Sequence, residues 1–233
     1  MQNNNILAVI PARGGSKGIP RKNLYKIGGK TLVAHAVEMA KECGFYTVVS
    51  SEDKEILTEA FNNGASLIER PQRLADLADK QPTAIDVWRH AWINAERLFD
   101  KHFDYSVYLE PTSPLRIKRI VLTVINTLID TSLDSVWTIS PIDKKYHTAK
   151  QLQIENVNIK LPIDVSRRQD VGQAYYRNGI AYAVTRQTLL EQSSLTGETC
   201  GAYVVYGPSV NVDVLEDLEL LEFYWKKVHP NQV

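Results

Sequence analysis

Short apolar runs that alternate with stretches of helical period restrict this chain to very few folds. Residues 6–10, ILAVI, form an unbroken apolar strand, 31–43 place Leu32, His35, Ala36, Met39 and Ala40 at helical spacing, and 46–50 make a second strand. The alternation continues as helix 53–62, strand 66–69, helix 83–99, strand 105–110, helix 117–129 and strand 135–140. Strands that are apolar throughout need cover on both faces, so the repetition predicts an α/β fold with a mainly parallel sheet between helices. With 233 residues and 44% hydrophobic content, a single domain spanning 1–233 is expected.

The pattern breaks between residues 141 and 172, which are polar and mixed in charge; strands are expected again at 174–184 and 202–206, and a final helix at 215–228. This insertion has too few apolar residues for a core of its own, so it is expected to pack elsewhere, at the interface of a homodimer.

Between the first strand and the first helix lies ARGGSKGIPRKN, residues 12–23, rich in glycine and cations. No acidic residue precedes Glu38, whereas Arg13, Lys17, Arg21, Lys22, Lys26 and Lys30 all do. Loops leaving the carboxyl ends of parallel strands are where open α/β sheets bind ligands. Gly14, Gly15 and Gly18 let backbone N–H groups approach an anion closely, and the side chains add charge, so the loop reads as a phosphate site. A solvated basic loop is the alternative. Two other phosphate motifs fail: Gly29-Lys30-Thr31 has Leu24 where a Walker A loop needs its first glycine, and Arg13 occupies the first glycine position of a dinucleotide fingerprint.

Formal net charge is zero, with 27 basic and 27 acidic residues, which argues against nucleic acid or an anionic membrane as partner. Cys43 and Cys200 have no CxxC partner, and His35, His90, His102, His147 and His229 are scattered, so no zinc site is expected. The opening MQNNNILAVIPAR lacks a basic leader and its apolar run is short, from which a cytoplasmic protein is expected.

VIPARGGSKGIPRKN resembles the N-terminal signature of the CMP-acylneuraminate synthetases, cytidylyltransferases that activate sialic and other nonulosonic acids. Further segments agree in order and spacing: Arg70-Pro71 with Leu74-Ala75, Asp86-Val87 with His90-Ala91, PTSPLR at 111–116, and Asn178-Gly179. The resemblance implies a three-layer, Rossmann-like nucleotidyltransferase fold with a small inserted dimerisation subdomain. It also implies a homodimer that joins CTP to a 2-keto-3-deoxy sugar acid and releases pyrophosphate. By match to the motif, Arg13, Gly14, Gly15, Ser16, Lys22 and Asn23 hold the CTP phosphates and ribose, and Arg70 and Thr83 lie near the base. Arg168 and Gln169, with Lys150, are implied for the sugar carboxylate, and Asn178 and Gly179 for the sugar site.

Attack by an anomeric hydroxyl on an α-phosphate shielded by negative oxygens depends on charge neutralisation and alignment. Magnesium with oxygen ligands suits that task, and Arg13, Lys22 and Asp213 are the expected catalytic residues. Two positions depart from the family. An aspartate pair is common where this chain has Asn211-Val212-Asp213, so the metal is expected on Asp213 with an uncharged carbonyl from Asn211. Glu110 stands where sialic acid enzymes typically carry glutamine, which suggests a sugar presenting a hydrogen-bond donor there; a strand-end glutamate paired with Arg116 or another cation is the bland alternative. Tyr175, Tyr176, Tyr182, Tyr203 and Tyr206 are candidates to line a sugar site or to serve as core or interface residues. The rivals are a 3-deoxy-D-manno-octulosonate cytidylyltransferase and a nucleotide-binding module without turnover.

Overall fold

A computed structural model describes residues 5–16, 18–75, 83–160 and 172–230. Seven strands form one sheet: β1 (Ile6–Pro11), β4 (Tyr46–Ser51), β5 (Ser66–Glu69), β6 (Tyr105–Tyr108), β7 (Ser135–Pro141), β10 (Tyr175–Thr185) and β11 (Cys200–Val204). Two hairpins lie outside it, β2 (Lys26–Ile27) with β3 (Lys30–Thr31), and β8 (Gln153–Glu155) with β9 (Asn158–Lys160). The helices are α1 (Leu32–Glu42), α2 (Lys54–Asn62), α3 (Ala84–Phe99), α4 (Lys118–Asp130) and α5 (Leu215–Val228).

The sheet order is β11-β7-β10-β6-β1-β4-β5. All pairings are parallel except those of β10, which runs antiparallel to both β6 and β7. Apolar runs do not encode strand direction, so this reversal in the middle of the sheet was not readable from the sequence.

Side-chain alternation builds the three layers. Ile6, Ala8 and Ile10 of β1 face one core with α1, α2 and α4, while Leu7 and Val9 face another with Trp88, Ala91, Trp92 and Ala95 of α3. A third cluster packs α5, through Leu218, Leu221 and Trp225, on Ile27 and Leu32. Three helices begin at side-chain caps that the sequence displays: Thr31 for α1, Asp53 for α2, and Thr83 with Asp86 in a capping box for α3. None of the described helices is long and apolar enough to cross a membrane.

In the insertion, β8 and β9 form a small hairpin, and residues 161–171 lie outside the described residues. The hairpin displays Ile154 and Ile159, and Val157 at its turn is 92% exposed.

The register of β10 against β7 shifts between Arg177 and Tyr182. Within this bulge Gly179 has φ +72°, and a Cβ there would meet Glu110 Oε2 and Ser113 Oγ at 2.6 Å. Asn178, 1% exposed, ties the bulge down. Its Oδ1 accepts from Thr138 Oγ1 at 2.6 Å and from the Ile180 N–H at 3.1 Å, and its Nδ2 donates to Ser140 Oγ at 3.0 Å. Arg116 completes the junction by donating to the carbonyls of Ile180 (3.1 Å), Gly179 (3.5 Å) and Glu110. Burial pulls its pKa down to about 10. Replacing Arg116 by Met leaves these buried carbonyls without a donor, and a loss of about 3 kcal/mol in denaturant unfolding is expected. A change below about 1 kcal/mol would show that the staple is dispensable.

Candidate functional site

Two adjoining cavities open at the carboxyl end of β1 and β6. The first, about 250 Å³, is lined by Arg13, Ser16, Lys22, Asn23, Arg70 and Thr83 among others. The second, about 310 Å³, is lined by Trp88, Trp137, Arg177, Tyr182, Leu195 and Asn211. Ala84, Tyr108 and Glu110 line both, so one short partition separates them.

The loop after β1 is held from beneath. Glu52, at the end of β4, accepts the Gly14 N–H through Oε1 at 2.7 Å and an Arg70 guanidinium N–H through Oε2 at 2.7 Å. This carboxylate joins the loop to the cation beyond β5, and no sequence motif marks it. Asn23 donates to the Arg13 carbonyl at 2.8 Å, fixing the backbone that carries the Arg13 side chain. Lys22 donates from Nζ to the Val212 carbonyl at 2.6 Å and to Asp213 Oδ1 at 2.8 Å, which closes the loop onto the segment before α5. A Cβ on Gly18 would lie 2.3 Å from the Asp213 carbonyl oxygen, so this glycine is needed for close approach.

The six-cation trap expected from sequence is smaller in three dimensions. Arg21 sits in the left-handed region, φ 57°, and pairs with Asp53 and Glu55 at the start of α2; Lys30 pairs with Glu38 on α1. These partners follow the loop in sequence and fold back beside it. Arg13 and Lys22 line the first cavity, joined there by Arg70 from beyond β5, while Lys17 lies outside the described residues.

Three buried polar atoms around the cavities have no partner among the described residues: Ser16 Oγ, Arg70 Nε and Asn211 Oδ1. Unpaired buried polar groups are costly, and groups of this kind at a cavity wall are completed by a ligand or water. Asp213 keeps its side chain 73% exposed beside Lys22. Asp213 and Asn211 offer hard oxygen donors, and the orphaned Asn211 carbonyl fits a hard cation, although no group of three His, Cys, Asp or Glu side chains among the described residues forms a metal cluster.

The bland reading of Glu110 fails in one respect: Arg116 binds its backbone carbonyl and not its carboxylate. The carboxylate is approached by Asn211 Nδ2 at 3.5 Å. Burial raises the Glu110 pKa and Asp213 adds to the rise, against the opposing fields of Arg116, Arg177 and Lys22. Tyr182 is pushed up to about 12 by burial and by Glu110.

Other expected residues fall in different places. Thr83 lines the first cavity as the cap of α3, and Gly15 has open space where a Cβ would stand. Asn178 and Gly179 shape the bulge under Glu110. Lys150 lies in a short turn of the insertion and lines neither cavity; Arg168 and Gln169 lie outside the described residues. Of the candidate tyrosines, Tyr182 lines the second cavity, Tyr203 packs against the core, and Tyr175, Tyr176 and Tyr206 are exposed. Arg177 and Trp137 of the second cavity carried no motif.

A cytidylyltransferase family model matches residues 7–196. The chain belongs to the cytidylyltransferase family. It is 29% identical over 234 aligned residues to a pseudaminic acid cytidylyltransferase of Campylobacter jejuni, covering 96% of this chain and 97% of the relative. It is also 29% identical to a CMP-N,N'-diacetyllegionaminic acid synthase of Legionella pneumophila, covering 90% of each. A similar match, 28% identical over 95% of each chain, is the post-translational flagellin modification protein B of Campylobacter coli. Among solved structures, a CMP:2-keto-3-deoxy-manno-octonic acid synthetase complexed with CTP superposes with a TM-score of 0.71 at 20% identity, covering 97% of this chain and all of that one. At that identity the likeness establishes the shared fold.

A carboxyl whose pKa is raised on folding favours the protonated state, so the cost of its ionised form is absent below the unfolded-state pKa and complete above the folded one. Glu110→Gln is therefore expected to raise the melting temperature of the ligand-free cytidylyltransferase near neutral pH, with the gain shrinking as pH falls toward about 4. A pH-independent difference between the two proteins in thermal unfolding would contradict this.

Proposed function

We propose that this cytidylyltransferase couples CTP to the anomeric hydroxyl of a nonulosonic acid, of the sialic, legionaminic or related class, giving the CMP-sugar and pyrophosphate. The observation that carries this reading is the pair of cavities sharing the Tyr108–Glu110 partition, one lined by cations and the other by aromatic rings with a single arginine. Such adjacency suits a reaction in which two bound molecules meet at one phosphorus.

Arg13 and Lys22 neutralise the triphosphate and Arg70 closes the base end of the first cavity. The anomeric oxygen attacks the α-phosphorus from the side of the second cavity. As that P–O bond forms, the hydroxyl proton is released to solvent, the bond from the α-phosphorus to the bridging oxygen of the β-phosphate breaks, and pyrophosphate leaves with the electron pair. Cations fixed before the reaction stabilise the charge that moves onto the leaving oxygens. Asp213 and Asn211 would hold magnesium, which when bound supplies further charge neutralisation at the phosphates. With only one carboxylate, affinity for the ion depends largely on the nucleotide.

Pyrophosphate release with CTP and a panel of sialic, legionaminic, pseudaminic and octulosonic acids, with and without magnesium, tests the reading. Turnover is expected with a nonulosonic acid and magnesium; preference for the octulosonic acid would assign the neighbouring activity. The double variant Arg13→Ala with Lys22→Ala is expected to weaken CTP binding by about a hundredfold, and unchanged affinity in calorimetry would remove the basis of the site.

The insertion is proposed to pair two copies. Ile154, Val157 and Ile159 are exposed on the β8–β9 hairpin, more apolar surface than so small an element leaves bare without a partner. Val157→Lys with Ile159→Lys is expected to shift the mass measured by light scattering from dimer to monomer. A monomeric wild type would refute the pairing.

A further inference from the structure

The second cavity is polarised. Glu110 places a carboxylate at the partition, and Arg177 contributes a guanidinium whose Cζ lies 5.6 Å from the centre of the Trp137 ring. Arg177 acts on Glu110 through its field, as do Arg116, Lys22 and, with opposite sign, Asp213. Opposite charges on one cavity wall are thus left apart, each available to a ligand.

The two indole donors in the wall are engaged elsewhere: Trp88 Nε1 donates to Ser106 Oγ at 2.8 Å and Trp137 Nε1 to the Leu195 carbonyl at 3.2 Å. The Tyr182 hydroxyl accepts the Gly179 N–H at 3.0 Å and keeps its own proton to donate. An ionised carboxylate has roughly four acceptor sites, and Glu110 receives one long contact, 3.5 Å from Asn211 Nδ2. A buried carboxylate so poorly served is completed best by a ligand that brings several donors and a positive charge. An acylamino group brings one N–H and no charge, so it leaves a buried carboxylate both underserved and uncompensated. A protonated amine or an amidine brings only donors, and the rings of Trp88, Trp137, Tyr108 and Tyr182 tolerate a cation on their faces.

Resting on the transferase reading above, we propose that the second cavity selects a sugar acid carrying a basic nitrogen, amine or amidine, with that nitrogen on Glu110 and its carboxylate on Arg177. The two residues set substrate specificity by charge placement. Arg177 would receive the carboxylate through its planar fork, a geometry that lysine would not reproduce.

Pairs of nonulosonic acids that differ only in N-acetyl against free amine or acetimidoyl, at each nitrogen-bearing carbon in turn, are to be assayed with CTP by pyrophosphate release. The wild type is expected to favour a basic congener in kcat/KM by roughly tenfold or more, and Glu110→Gln to reverse or abolish that preference. Arg177→Gln is expected to raise KM for the sugar acids about tenfold with KM for CTP unchanged. If Glu110→Gln does not fold, Glu110→Asp substitutes: a carboxylate withdrawn by one methylene should cut the preference for the basic congener several-fold. Release with no preference for the basic congeners, or a preference that Glu110→Gln, or Glu110→Asp in its place, leaves intact, overturns the proposal alone. No release with any sugar acid overturns the transferase reading, and this proposal with it.

Discussion

The buried guanidinium of Arg116 is the point on which both cavities depend. It binds three backbone carbonyls, one at the end of β6 and two in the bulge of β10, and so fixes the antiparallel strand against its parallel neighbour. Burying that charge is unfavourable, as its depressed pKa indicates, and the hydrogen bonds together with the Glu110 field offset the cost. Glu110 projects from this staple into the partition, so the position of the one acidic side chain shared by the two cavities follows from backbone contacts made by a cation that does not touch its carboxylate.

A second buried charge organises the nucleotide side. Glu52 holds both the Gly14 N–H and Arg70, joining the loop after β1 to the segment after β5. The same carboxylate keeps Arg70 compatible with 5% exposure while its Nε stays unpartnered. Lys22 does the corresponding work at the other side, reaching the Val212 carbonyl and Asp213. Glycine 18 permits that approach because any side chain would strike the Asp213 carbonyl. The loop is therefore shaped by contacts with distant segments as much as by its own glycines, and the remaining unsatisfied atoms are left for a polar ligand or water to complete.

The separation of charge along the site follows from the two supports. Arg13, Lys22 and Arg70 gather in the first cavity, and a single cation, Arg177, lines the second among aromatic rings. On the proposed function, a triphosphate would suit the first and a smaller, largely carbon-framed acid the second.

Much of this was legible in the chain itself. Apolar runs and helical periods located nearly all the main elements because burial on both faces of a sheet leaves a pattern along the sequence. Caps at Thr31, Asp53 and Thr83 marked where three helices begin, since local hydrogen bonds need only local residues. The glycine-rich loop stood out as a candidate anion site, and Asn211 and Glu110 as departures. Strand direction, the loss of Arg21 and Lys30 to carboxylates of α2 and α1, the bridge made by Glu52, and the placing of Arg177 and Glu110 in one cavity wall were decided only in three dimensions. The reason is that periodicity and capping are properties of neighbours along the chain, whereas charge pairing and cavity walls are properties of neighbours in space, brought together here from segments far apart in the sequence.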